Sequence, residues 1–544
     1  MGSAVQGWGG EGIFVNAGTG NLVVQKQDEF LVGKGPDIAI ARTYNSLTTL
    51  GDDNNDKWRQ STDRRVYGLT GTLNTAGSTV SRVSGDGTEI VYAWDAGLSA
   101  YVAKDGGGAY DRIVRSGSEW VWTDGDTQTV ERYEITGTGR IKSATDRNGS
   151  SLTFAYDGSG RLTTVTSADG SWVRYDYVGS TQNISQVVTG YTDLATSTAK
   201  TLTRTRYGYD GSNRLTTVTV DLTPGDNSVS DGATYVTTYS YDGAGRLSNV
   251  AQSDGSNLAV TYDGSGRVAT LAQTESTGVT RTTSLAYGSL YTTITDPAGQ
   301  ATRMDYDAAG NLTRITAPPA YAGAAQQIVQ FAYNANGDLT STTDALGHTT
   351  TFGNFTADGL AQTVTDRLGN AITRTYSAAN LLLSETRSGI DASGSAVSAT
   401  ARYVYDAKGN LRFAISAEGR VTEYTRGSAG EVTYETVYAE AAYTTAGTPS
   451  EANMTSWVGG LADKSWVQKT KYLYDARGAV TSVTSYGIAN SSGTEQTGEG
   501  TSVTSFVYDQ AGQLLSSYAG ANTATTYLYD GMGRVTATND ANGG

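Results

Sequence analysis

The sequence predicts an all-β protein in which tyrosine-aspartate hairpins about 21 residues long join edge to edge into one long antiparallel sheet that spirals into a hollow shell or barrel. Three observations lead there. A tyrosine-led turn recurs at fixed spacing, its flanks are rich in β-branched and aromatic residues, and the resulting sheet is too wide to stay open and flat.

The recurring element is an aromatic residue followed four positions later by Gly or Asn. It stands at Tyr156, Tyr209, Tyr241, Tyr262, Tyr306, Tyr333, Phe355, Tyr376, Tyr405, Tyr474, Tyr508 and Tyr529, and from Tyr241 to Tyr262 and from Tyr508 to Tyr529 the step is 21 residues. In the clearest copy, YDGSGRL at 156–162, Asp opens a type I turn and Gly closes it in the left-handed region. Gly160 avoids the ~1–2 kcal/mol that a side chain costs there, and Asn213 and Asn380 replace it with the next most tolerant residue.

The strands LTFAY and RLTTVT that flank this turn favour a pleated surface, with Tyr156 expected to face Leu162 and Phe154 to face Thr164. A second turn signal, at 146–149, 296–299, 344–347 and 366–369, makes each unit two strands and two turns. Twelve such units at ~4.8 Å per strand would make a sheet on the order of 115 Å wide, which must coil. Tyr is used 35 times against 8 Phe, which suits a face that is apolar along the ring and wet at its tip.

Four segments follow. Residues 1–145 hold Trp8, Trp58, Trp94, Trp120 and Trp122 but no well-spaced copy of the repeat, and read as a β-rich cap leading into the shell. Residues 146–437 are shell. Residues 438–470 are an insertion with one short helix, opened by Thr448-Pro449-Ser450-Glu451 and stopped by Gly459-Gly460. Residues 471–544 are shell again, read as truncated at the carboxyl end. Pro318-Pro319 and 485–501 read as loops.

The net charge of −15, with no basic block, speaks against a nucleic-acid partner. Cys is absent, which excludes disulfides and thiolate metal sites, and no apolar run is long enough to span a membrane as a helix. The start MGSAVQGWGG has neither the basic nor the apolar region of a signal peptide.

Chemistry finds little support. His348 is the only histidine, so neither a Ser-His-Asp triad nor a multi-histidine metal site can be assembled, and its setting is that of a strand after a turn. Turn position already accounts for the repeat aspartates that a glycosidase pair would need. The run Asp52-Asp53-Asn54-Asn55-Asp56, with Asp63 at the twelfth place, has the oxygen spacing of a calcium loop. It carries Lys57 where that loop needs Gly, so a solvated acidic loop is the reading. GDGTEI and DGGGAY lack the strand-to-helix context of a phosphate cradle. We read no catalytic residue, no cofactor and no metal ligand.

YDGSGRLTTVT, YDGAGRLSNV and YDGMGRVTATND resemble the rearrangement-hotspot (RHS) or YD-repeat family, and the leading VNAGTGNLVVQ, DIAIARTYNS and Trp58-Arg59 are similar to the segment that precedes the family's repeats. The resemblance implies a non-enzymatic shell that wraps a partly unfolded cargo, commonly a toxin domain at the carboxyl end of the same polypeptide. It is an architecture shared by bacterial polymorphic toxins, Tc toxins and teneurins, and it implies a secreted or cell-surface bacterial protein. The proline-rich, aspartate-containing segment where toxin-bearing members cleave themselves has no match here, so that activity is carried over to no residue. The alternative function is a cell-surface adhesin or carbohydrate-binding module with a glycan or cell-surface partner, since exposed Tyr and Trp stack on sugar rings.

Overall fold

The structure is a computed structural model that describes residues 4–7, 9–48, 56–103, 110–321, 323–498, 500–520 and 524–540. Two sheets organise the described residues. A five-stranded inner sheet runs as a meander through Ala4–Gln6, Glu11–Val15, Leu22–Leu31, Ile38–Asn45 and Trp58–Gln60. A second sheet of 38 antiparallel strands, the wall, runs from Arg65–Thr70 to Val535–Asn539.

The turn at 156–162 shows why the repeat folds as it does. The Asp157 N–H donates to the Arg161 carbonyl and the Gly160 N–H to the Asp157 carbonyl, both at 2.9 Å. One Asp157 carboxylate oxygen accepts from the N–H groups of Ser159 and Arg161, and the other from Arg161 Nε at 2.8 Å. Gly160 has φ 83°, Asn213 φ 62° and Asn380 φ 60°, the left-handed conformation the turn requires. The register slips by one residue between Ala155 and Tyr156, so Tyr156 faces Leu162 as expected but Phe154 faces Val165 rather than Thr164. A bulge moves one residue out of the count, which alternation alone does not reveal.

Successive hairpins are then locked together. The Arg161 guanidinium lies 4.7 Å over the ring of Tyr177 in the next hairpin, and the Tyr177 hydroxyl donates back to the Leu162 carbonyl at 2.8 Å. Arg140, Arg214, Arg246 and Arg267 stack in the same way on Tyr156, Tyr241, Tyr262 and Tyr287. Each of those hydroxyls also takes the carbonyl of the residue after its arginine. The tyrosine tips are therefore tied to backbone rather than left wet, because the hydroxyl reaches a carbonyl beyond the end of the ladder: strands 162–166 and 172–177 pair only as far as Thr164 with Arg174.

The boundary drawn at residue 145 lies inside the wall. Hairpins from residue 65 onward lack the Tyr-to-Gly signature yet pair continuously with the later ones. They coil tightly, and Val66 N–H donates to the Gly139 carbonyl while Ile141 N–H donates to that of Arg64, so the leading strand meets the segment 139–141. This small turn is filled by Val66, Val80, Tyr92, Tyr101, Ile113, Trp120, Trp122 and Tyr133, all buried. Here Trp120 and Trp122 of the amino-terminal segment find their use.

Beyond it the wall opens into a wider spiral. All YD turns lie on one rim and the intervening turns on the other, and the two rims meet across long stretches of sequence. Arg147 donates to the Gly409 carbonyl, Asn410 to Asn148, and Arg112 pairs with Asp358, in each case the lower rim of one tier against the YD rim of the next. Gly531 N–H bonds the Leu222 carbonyl in the same sense. About 20 strands separate such partners, giving a circumference on the order of 100 Å and a width of about 30 Å. The sheet spirals without being hydrogen-bonded shut, since its last strand pairs only with its predecessor among the described residues.

The insertion between Val432–Ala442 and Val467–Tyr474 carries the helix Glu451–Gly460. Its N-cap is Ser450, two residues later than the Thr448-Pro449 pattern suggested, because Asn453 closes a capping box with Ser450. The helix packs Met454 and Trp457 against Val404, Phe413 and Val421. The stretch 485–501 is not only loop: Ile488–Ala489 and Glu495–Gln496 form a small hairpin.

Tyr177→Phe removes one interlock and leaves the Leu162 carbonyl without its partner. Thermal and urea unfolding should show a loss of about 0.5–1.5 kcal/mol with the fold retained.

Candidate functional site

A sheet keeps its faces along its whole length, so the two tiers can be compared position by position. The face that carries the repeat tyrosines points inward. In the first tier the inner sheet covers it: Thr62 meets the Tyr175 hydroxyl at 3.1 Å, Tyr207 donates to Asp28 at 2.7 Å, and Trp58 Nε1 donates to the Tyr241 hydroxyl at 3.0 Å. Trp58 also packs at 4.9 Å on the ring of Tyr239, and the Leu247 N–H donates to the Tyr44 hydroxyl at 2.8 Å. Under this cover Leu152, Phe154, Val173, Tyr175, Tyr239 and Val260 are buried.

In the second tier the same face has no cover among the described residues. Phe331, Phe352, Tyr376, Tyr403, Tyr472, Phe506 and Tyr527 are half-buried at or next to the positions where the first tier is sealed. The hydroxyls of Tyr333, Tyr405, Tyr474 and Tyr529 remain tied to the carbonyls of Leu312, Leu382, Val432 and Leu514. Between these tied tyrosines the lining offers the ring faces of Phe331, Phe352, Tyr403, Phe506 and Tyr527. It is a concave aromatic lining, and sequence reasoning missed its key position: the residue two before the repeat tyrosine, which is Phe or Tyr in most copies.

The outer face differs. The residue just before the repeat tyrosine points outward and is small or polar at Ala155, Ser240, Thr261 and Thr375. At Val404 it is apolar and the helix Glu451–Gly460 covers it, whereas at Leu473, Val507 and Leu528 it is apolar and exposed.

The candidate chemical residues fall apart spatially. His348 takes the place of the turn arginine, with Nδ1 3.0 Å from Asp344 in an exposed hairpin. Asp52, Asp53, Asn54 and Asn55 lie outside the described residues. The two ends of that loop are committed elsewhere: Asp56 accepts from the N–H groups of Trp58 and Leu215, and Asp63 pairs with Arg59 and Arg65. Among the described residues no three His, Cys, Asp or Glu side chains are grouped so as to hold a metal ion, and no helix is long and apolar enough to cross a membrane. Hydrogen bonds from the Arg161 backbone and side chain hold the Asp157 carboxyl below its ordinary range, as expected for a turn carboxylate and not for a general acid.

A family profile described as Teneurin YD-shell matches residues 191–444, and one described as RHS Repeat matches 136–171 and 508–544. The chain belongs to the RHS/YD-repeat family. No curated protein matches the sequence. Among solved structures, a TcdB2-TccC3 complex aligns over 96% of this YD-repeat chain at 14% identity and a TM-score of 0.38. A Photorhabdus luminescens Tc holotoxin pore aligns over 95% at 12% identity and a TM-score of 0.35. The alignments cover 35% and 30% of those chains, so this YD-repeat protein spans about a third of their length. Likenesses this distant identify no function. YD-shell and RHS proteins are structural shells, and a shell role is what the family membership carries.

Phe154 and Phe331 hold the same repeat position under opposite conditions. Phe154→Ala should destabilise by about 3–4 kcal/mol and Phe331→Ala by about 1 kcal/mol or less in parallel denaturation curves.

Proposed function

We propose that this YD-repeat chain is the wall of a container whose second tier holds a polypeptide cargo against its aromatic lining. The observation that carries this reading is the contrast between tiers. One repeat, with one inner face, is sealed by the inner sheet at Phe154 and Tyr175 and left open at Phe331 and Tyr403. An aromatic concave surface that the described residues leave uncovered is suited to apolar side chains of another segment. Ring faces spaced by the strand repeat hold such a segment without selecting one sequence.

The cargo in this reading is a segment of the same polypeptide, of the toxin type that RHS proteins carry, and the setting is outside a bacterial cell. The wall acts by enclosure and not by catalysis. Its turn carboxylates are engaged in turns, and its one histidine is held by Asp344 in an exposed turn.

Photo-crosslinking in the polypeptide as its gene encodes it tests the proposal. A photoreactive phenylalanine placed at Phe331 should crosslink to a segment outside the wall, whereas the same group at Ala332, on the opposite face, should not. Equal capture from both faces, or capture from Ala332 alone, would overturn it.

A further inference from the structure

Where the inner sheet, the first tier and the second tier meet, four carboxylates converge. A bulge in the strand Leu22–Leu31 throws Asp28 out of register, and Asp28 and Glu29 both engage the wall strand Thr198–Tyr209. Glu29 accepts from Arg204 at 3.1 Å and from Thr205 at 3.4 Å, and is 2% exposed. Asp28 accepts from Tyr207 and pairs with Arg42, which also holds Glu11 at 2.5 Å. From the second tier the turn at 509–513 closes over this cluster. Val32 N–H of the inner sheet donates to the Gln510 carbonyl at 3.0 Å, and Asp509 comes under the influence of Arg204 and Arg477.

The charges do not balance. Glu11, Asp28, Glu29 and Asp509 face Lys26, Arg42 and Arg204, while Arg477 is engaged by Asp475 and by the Tyr508 and Asp509 carbonyls. Arg204 pairs with Glu29, while one oxygen of Asp509 accepts from the N–H groups of Ala511 and Gln513 in its own turn. A cavity of about 180 Å³ lined by Glu11, Lys26, Asp28, Glu29, Arg42 and Arg204 leaves Glu11 Oε2, Arg42 Nε and Arg204 Nε without partners. An excess buried carboxylate with poor compensation is relieved most simply by a proton.

We propose that the junction of Glu29, Arg204 and Asp509 is a proton-operated latch that binds the inner sheet and the two tiers together more tightly in mild acid than in alkaline solution. Burial pushes the Glu29 carboxyl up to about 7, against the pull of Arg204 and Thr205, and burial likewise raises Asp509. Burial, and then Arg42, lowers Lys26. When the junction opens, Glu29 returns to the ordinary carboxylate range near ~4.3, so closing takes up a proton between that value and about 7. Acidification through neutrality therefore favours the closed form. Above neutrality the junction has to hold an ionised buried carboxylate, and it loosens. The direction is opposite to the acid opening that a paired carboxylate with a lowered pKa would give. The latch is a property of the wall and stands whether or not the second tier holds cargo.

Hydrogen exchange of the full chain at about pH 6 and about pH 8.5, corrected for intrinsic rates, tests it. Peptides containing 22–32, 198–209 and 502–514 should open about tenfold more often at the higher pH, with a midpoint near neutrality. Glu29→Gln, which carries no charge, should flatten this dependence and stay as protected at the higher pH as the parent is at the lower. Equal protection of the parent chain at both values, or greater protection at the higher one, would overturn the proposal, as would a Glu29→Gln chain that keeps the full dependence. If that variant does not fold, the parent chain's titration decides alone.

Discussion

The structure depends on one linkage: the repeat tyrosine that in both tiers donates its hydroxyl to a carbonyl of the hairpin before it. In the first tier it is backed by a turn arginine that is tied to the aspartate of its own hairpin and lies on that tyrosine ring. Hairpins alone are marginal in water, and a meander of them would slide or fray. Here the Asp157–Arg161 pair fixes the turn, the stack of Arg161 on Tyr177 fixes the spacing to the next hairpin, and the tyrosine hydroxyl closes the backbone at the seam. Because the device repeats, pairing propagates along the chain, and the right-handed twist of each added pair turns the growing sheet back on itself. Curling follows from repetition. No closure by hydrogen bonds between the first and last strands is required.

The same logic explains where the protein is solid and where it is open. The first hairpins coil so tightly that tryptophan and tyrosine fill the turn completely. The next tier is wide enough to admit a five-stranded sheet, which seals it through Trp58, Tyr44 and Arg42. The tier after that has the same inner residues and nothing across from them among the described residues. The aromatic positions are thus core in one tier and lining in the next, and the neighbour decides which.

Local features were legible in the sequence. Asp157, Gly160, Asn213 and Asn380 announced their turn because its geometry is set within five residues. The short helix was legible too, although its cap lies at Ser450, where the partner Asn453 could not be weighed against Glu451 without coordinates. Contacts that join distant segments were not legible. The hydroxyl of Tyr177 answers a carbonyl in another hairpin, Arg147 answers Gly409 a full revolution away, and the inner sheet meets strands some two hundred residues further on. Nothing in the period announces those partners. The Phe154 register failed for a smaller reason, since a single bulged residue reverses the count. The aromatic lining could have been found from the Phe or Tyr two places before most of the repeat tyrosines.

The central claim is that the wall rises in stacked tiers, with the lower rim of one resting on the YD rim of the next. The chain has no cysteine, so Asn148→Cys and Asn410→Cys place two unique thiols where those rims meet, 262 residues apart. A short bismaleimide should link them within one folded chain and give a faster-migrating band on a denaturing gel. A chain that stays unlinked, while a cysteine pair set across one hairpin at Thr145 and Ser151 links readily, would contradict the spiral.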